Sequence, residues 1–233
     1  ISGFLKTNNL KRGFSSEVRL GRVGEIKLDD SPVMRVRILN KERDDLSEPI
    51  YWKGVTLSTF DGVSWKATQY GYEIYESDAY GVMLVSESAG DSLHQEIITE
   101  PLNTDVLFAA HNPVGFKKVP GNKVTRVGGS FLLPNNYYGR LKYYAYSDTS
   151  VPNMRRLEET VVEYPHEITS LYLQLPELSE EVRELAGEIT STENHPYKKA
   201  EAVRRYLATN LTYTRTLAEA EAGFPLDDFL LEK

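Results

Sequence analysis

Tyr51-Trp52-Lys53-Gly54-Val55-Thr56-Leu57-Ser58-Thr59-Phe60-Asp61-Gly62-Val63-Ser64-Trp65 is the stretch from which the fold can be read. It holds both tryptophans of the protein and is punctuated like a hairpin. Residues 55–60 are mostly β-branched, leucine or aromatic, a composition that favours strands. Asp61-Gly62 is one of the dipeptides that accept positive φ at both central positions of a two-residue turn. A loop of those two residues predicts Phe60 opposite Val63 and Ser58 opposite Trp65. Phe60, Val63 and Trp65 would then share one face, with Val55 and Leu57 on the other. A hairpin apolar on both faces belongs in a core, and Trp65 is expected to be a core ring.

Outward from that stretch, the same strand-like style continues in both directions. Upstream, residues 1–16 read as a loose lead-in, Val23–Leu28 as a short strand, and Val33–Leu39 as an alternating strand whose solvated face carries Arg35 and Arg37. Downstream comes a tyrosine-rich stretch with Tyr70, Tyr72, Tyr75 and Tyr80. Strands are then expected around residues 81–85, 95–100, 106–110, 116–119, 124–133 and 143–146. Turn signals separate them at Asn112-Pro113, Pro120-Gly121-Asn122, Gly128-Gly129 and Pro134-Asn135-Asn136. Short strands at this spacing predict a β-sandwich-like unit over roughly the first 165 residues.

After Pro176 the hydrophobic period changes from two to about 3.6. Leu178, Val182, Leu185, Ala186 and Ile189 form one apolar stripe, with Ser179 as a cap and Glu180 and Glu181 at the positive end. A second helix is expected from Pro196 to Asn210, burying Ala200, Val203 and Leu207. Residues 216–223 read as an acidic, alanine-rich loop or helical turn, and Phe224–Leu231 as an apolar close. The expected class is therefore mainly β, a sandwich-like domain followed by two α-helices.

The chain has 233 residues, a net charge of −7 and no cysteine. That charge, with no element concentrating Lys and Arg, argues against a nucleic-acid partner. No apolar run is long enough to span a bilayer, so no membrane insertion is expected of this segment. Ile1 stands where an initiator Met would, and the sequence is expected to be an excised piece of a longer one. Without cysteine there is no disulfide, thiolate metal site or thiol nucleophile within these residues. His94, His111, His166 and His195 are far apart, with no helical i, i+4 pair. No nucleophile elbow, phosphate loop or dinucleotide fingerprint occurs. No catalytic, cofactor-binding or metal residue is expected, and no cofactor.

The stretch Tyr51–Leu57, together with Phe60-Asp61-Gly62 and Trp65, resembles the extracytoplasmic region of bacterial membrane-anchored transglutaminase-like proteins. Later landmarks follow in that family's order. Tyr172–Pro176 is similar to its Y-L-x-L-P stretch. Pro196-Tyr197-Lys198-Lys199-Ala200 with Asn210–Thr214 is similar to its P-Y-x-K-A helix and following strand. Asp227-Asp228-Phe229-Leu230 is similar to its D-D-F-L segment. The resemblance makes Trp52, Gly54, Phe60, Asp61, Gly62 and Trp65 structural hallmarks.

The resemblance also implies a non-catalytic β-domain over residues 1–168 and the first part of a transglutaminase-like α+β catalytic domain over 169–233. The nucleophilic Cys, and the His and Asp after it, would lie past D-D-F-L and outside this sequence. It implies an extracytoplasmic location, tethered by transmembrane segments elsewhere. Implied partners are the rest of the catalytic domain, and a protein substrate or other envelope proteins. Two further readings stay open: a carbohydrate- or peptide-binding sandwich, motivated by fifteen tyrosines and two tryptophans, and a purely structural module. Two exposed, coplanar tryptophan rings would favour the former.

Overall fold

The computed structural model describes residues 17–19, 31–42, 45–46, 49–67, 71–87, 92–102, 104–150, 153–159, 163–212 and 225–231. The expected lead-in, the strand at 23–28 and the acidic stretch at 216–223 lie outside them. In chain order the first strands are β1 (Glu17–Arg19), β2 (Met34–Ile38), β3 (Trp52–Lys53), β4 (Thr59–Phe60), β5 (Ser64–Lys66), β6 (Tyr72–Glu76) and β7 (Val82–Leu84). They are followed by β8 (Leu93–Thr99), β9 (Thr104–Val106), β10 (Ala109–Ala110), β11 (Pro113–Lys117), β12 (Lys123–Val127), β13 (Ser130–Tyr137) and β14 (Leu141–Ser147). Helices α1 (Met154–Glu159), α2 (His166–Tyr172), α3 (Glu180–Thr190), α4 (Pro196–Asn210) and α5 (Pro225–Leu231) complete the order.

The described residues fall into two compact units. One takes those of 29–56 and 68–150, the other those of 17–28, 57–67 and 151–233. The first is a sandwich of two antiparallel sheets, a five-stranded one ordered β2-β8-β14-β11-β7 and a four-stranded one ordered β6-β12-β13-β9. Period-two alternation makes its core. On β8, Leu93, Gln95, Ile97 and Thr99 point inward. On β14, Leu141, Tyr143, Ala145 and Ser147 do the same. Val124, Phe131 and Leu133 of the second sheet meet Met83, Ile97, Phe116 and Tyr143 of the first in one hydrophobic cluster. Arg35 and Arg37 sit on the solvated face of β2, as its alternation predicts, and pair with Glu100 and Glu96.

The segment between the sheets is held in an unusual way. After β9 pairs with β13, residues 107–110 run buried through the sandwich. Buried backbone groups need partners, and at Phe108 and Ala110 side chains supply them. The Tyr143 hydroxyl donates to Phe108 O at 2.8 Å and accepts from Phe108 N at 2.8 Å. Ala110 N donates to Gln95 Oε1 at 2.8 Å, and Ser147 Oγ donates to Ala110 O at 3.0 Å. Gln95 Nε2 closes the network onto Ser147 Oγ at 3.0 Å and Leu93 O at 3.1 Å. Burial pushes the Tyr143 hydroxyl above its ordinary pKa, so it remains a donor across the accessible pH range.

In the second unit, β1, β5 and β4 form a three-stranded antiparallel sheet. α3 and α4 occupy the places the hydrophobic period predicts, and Ser179 caps α3 by accepting from Val182 N at 3.3 Å. Three short helices were not expected. α1 and α2 have one to two turns each, too short for a period to register, and α5 occupies the supposed apolar close. The stripes are also narrower than expected: Val182 is buried and Leu178, Leu185, Ile189, Val203 and Leu207 half-buried, but Ala186 and Ala200 are exposed. A methyl group at the edge of a stripe does not reach the surface its longer neighbours cover.

Tyr143→Phe tests the interior clamp. It leaves Phe108 N–H and C=O buried without their partner, at a cost of about 2–4 kcal/mol. Tyr144→Phe, which removes a part-exposed contact to Glu96 at 3.2 Å, should cost no more than about 1 kcal/mol. Urea denaturation of both variants, followed by near-ultraviolet circular dichroism, checks the difference.

Candidate functional site

The hairpin around Asp61-Gly62 belongs to the second unit, and its register differs from expectation. Phe60 pairs with Trp65 and Thr59 with Lys66, so the loop has four residues rather than two. The cause is the Asp61 side chain. Its Oδ1 accepts from Val63 N at 3.0 Å and Ser64 N at 2.6 Å, an Asx arrangement that outcompetes the two-residue turn. Asp61 N donates to Ser64 O at 3.1 Å, and Lys66 Nζ reaches Asp61 Oδ2 at 2.6 Å. Gly62 has φ +96, as a glycine turn requires. Residues 55–58 are not in a strand, and Val63 lies in the loop rather than on a shared face with Phe60 and Trp65.

The expectation that Trp65 is core fails with the register. Phe60, at 8% exposure, takes the buried side of the pair, while Trp65 stacks on it at 5.1 Å between centroids and remains 40% exposed. Trp52, 36% exposed, belongs to the other unit, where it pairs with Ala110. Gly54, half-buried, follows it.

Stretches far apart in sequence meet around this hairpin. Gln174 Nε2 donates to Ser58 O at 3.0 Å, and a Cβ placed on Gly62 would lie 3.7 Å from Pro176 Cβ. Ser179 Oγ, while capping α3, donates to the Asp227 carboxylate of α5. The segments 57–65, 172–176 and 227–230 are therefore parts of one unit. None of these contacts assembles a nucleophile with a base.

The sandwich unit carries a cleft of about 300 Å³ lined by Lys53, Ser86, Glu87, Asn112, Arg126, Gly129 and Asp148 among others. Lys53 leaves β3 half-buried. Its pKa is lowered, first by burial and then by the neighbouring Arg126 guanidinium. Arg126 occupies the inward phase of β12 set by Val124, and its Nη2 contacts Glu73 Oε1 at 2.7 Å. Sequence reasoning passed over this pair. The available signal was a charged residue in phase with Val124 on an otherwise alternating strand.

Residues 2–153 match the TgpA N-terminal domain family. The chain belongs to that family. Its fold also resembles two crystal structures of the periplasmic domain of TgpA from Pseudomonas aeruginosa. One matches at a TM-score of 0.62 and 21% identity, over 94% of this chain and 70% of the other. The second, bound to ethylmercury, matches at 0.58 and 22%, over 94% and 72%. At such identities the likeness speaks for the fold, and its 94% coverage of the chain extends past residue 153 into the helices. No curated protein matches the sequence.

For this member of the TgpA N-terminal domain family, the four histidines have separate local surroundings. His94 packs edge-on against Tyr146 at 4.9 Å, and His195 Nδ1 caps α4 by accepting from Tyr197 N at 3.2 Å. His111 N donates to Tyr51 O at 3.2 Å, and His166 opens α2 on the surface. Among the described residues no group of three or more His, Asp or Glu is placed to hold a metal ion. No described helix is long and apolar enough to cross a membrane.

Two measurements test the hairpin geometry. Gly62→Val forces a β-branched residue into the left-handed region and should cost more than about 1 kcal/mol, with the strain in the backbone because Pro176 leaves room for a Cβ. Phe60→Ala should be the more damaging of the stacked pair, at about 3 kcal/mol against about 1–2 for the exposed Trp65→Ala.

The second measurement uses pH. Hydrogen bonds from Lys66, Ser64 and Val63 hold the Asp61 carboxyl well below the usual carboxylate range. A depressed folded pKa means stability that is present above the unfolded value, about 4, and lost as pH falls further. Asp61→Asn should therefore flatten the fall in thermal midpoint below about pH 4. Parallel curves for parent and variant would refute that assignment.

Proposed function

We propose that the chain is the N-terminal, non-catalytic part of a transglutaminase-like enzyme of the bacterial envelope. In this reading the sandwich positions a catalytic domain at the outer face of the cytoplasmic membrane, and the Cys, His and Asp that act lie in residues following α5. The observation that carries the reading is the family match over residues 2–153, joined by the meeting of the hairpin with Gln174 and Pro176 and of α5 with the cap of α3. The chemistry of such a triad is acyl transfer. A thiolate attacks an amide carbonyl, the leaving amine takes a proton from the imidazolium, and the acyl-enzyme passes its acyl group to an amine or to water. The TgpA name of the similar structures, and their periplasmic origin, support the same placement for this chain.

The test compares this chain with the protein encoded by the extended reading frame, using incorporation of a fluorescent amine into a glutamine-containing peptide and release of ammonia. The 233-residue chain has no thiol and should be inactive in both assays. The extended protein should be active, and should lose activity when its cysteine following D-D-F-L is replaced by alanine. Activity in the short chain, or an extended frame without a cysteine, would overturn the reading.

A further inference from the structure

The sandwich holds a pair of cations for which the described residues give no complete counter-charge. Lys53 Nζ makes no ion pair or hydrogen bond with any described residue, although its side chain is half-buried. Beside it, Arg126 is engaged by a single carboxylate, Glu73, itself more than half exposed. A guanidinium has five N–H donors, so most of those on Arg126 are left for other acceptors. Burying an ammonium costs free energy unless an anion compensates it, and a second cation alongside raises that cost.

The surroundings keep the arrangement open. Gly129 is the second residue of the tight Gly128-Gly129 turn between β12 and β13, and a Cβ there would sit 3.0 Å from Lys53 Nζ and 2.5 Å from Thr56 Oγ1. A side chain at 129 would therefore collide with Thr56 Oγ1 and crowd the ammonium. Lys53 itself is placed by a rigid support. β3 pairs with β10, whose backbone is fixed by Gln95 and Ser147 from the sandwich interior. Of the described acidic groups that line the cleft, Asp148 accepts from Ser150 N at 3.0 Å and Glu87 is exposed, and neither makes an ion pair with Lys53. The volume, about 300 Å³, suits a small solute or one end of a larger one.

We propose that the cleft between Lys53 and Arg126 is a binding site for a small oxyanion, a carboxylate or phosphate group. The bound anion supplies the counter-charge that the described residues do not, with charge-assisted hydrogen bonds from the ammonium and from the remaining donors of Arg126. Glu87 and Asp148 at the rim limit the net negative charge a ligand can carry.

Calorimetric titration of the intact chain at low ionic strength, with inorganic phosphate and separately with glutarate, tests this. Saturable one-site binding of either probe is expected, and whichever binds more tightly identifies the group preferred. Lys53→Met should weaken it by about tenfold or more, while Lys123→Met, whose lysine pairs with Glu76 on the surface, should not. Lys53→Met should also raise the thermal midpoint of the ligand-free protein, which a purely structural lysine would not do.

Reductive methylation of the parent gives a readout independent of the variant's folding. The preferred anion should slow modification of Lys53 and leave that of Lys123 unchanged. Absence of saturable binding for both probes, equal binding by the parent and a folded Lys53→Met, or equal methylation with and without anion would overturn the proposal.

Discussion

The double hydrogen bond between the Tyr143 hydroxyl and the backbone of Phe108 is the constraint on which the sandwich depends. A segment that leaves one sheet and crosses the interior takes four residues of peptide groups out of water, and a ladder partner is not available along its whole length. Tyr143 and the Gln95–Ser147 pair supply donors and acceptors at Phe108 and Ala110, so that the crossing is made at full burial. A half-satisfied network of this kind is worse than an apolar core, which is why all three side chains must be in place together. The result is a fixed β10, and with it a fixed β3 and a fixed Lys53.

The clamp and the cleft are two outcomes of one principle, the satisfaction of buried polar groups. Inside, every donor of Gln95, Ser147 and Tyr143 finds an acceptor, and the sandwich is closed. At Lys53 and Arg126 the inward phase of the strands carries cations instead of the apolar residues that Val124 and Phe131 provide elsewhere. A fold optimised for stability alone would place an aliphatic residue at 53. Natural proteins break a local rule of this sort mostly where something is bound.

The strands were legible because their inward residues alternate at period two over five to seven residues, as on β2, β8 and β14. α3 and α4 were legible for the corresponding reason, a 3.6-residue stripe behind Ser179 and Pro196. The register of the hairpin is not legible in the sequence because Asp61-Gly62 serves two turn types. The choice between them rests on whether the carboxylate captures Val63 N and Ser64 N, which spacing does not encode. α5 is hard to see in the sequence because seven residues are too few to display a period, although Pro225 followed by Asp227 and Asp228 is a helix start by its chemistry. The cleft was illegible because Lys53 and Arg126 are 73 positions apart and meet where the chain after β3 reaches the β12–β13 turn, with Thr56 N donating to Ser130 Oγ at 2.8 Å.

The resemblance motifs gain a physical meaning from the second unit. Ser58, Gln174, Ser179 and Asp227 are widely spaced along the chain, yet the carbonyl of the first is held by the second and the cap of α3 is shared with α5. The Ser179 hydroxyl uses its acceptor on Val182 N and its donor on Asp227, so one side chain starts one helix and anchors another. A carboxylate at 227 also sits in the first turn of α5, where the helix dipole favours it. Replacing Gln174 takes a donor from the Ser58 carbonyl, and replacing Asp227 takes the acceptor from the Ser179 hydroxyl, so each change is felt in a neighbouring segment and not only in its own.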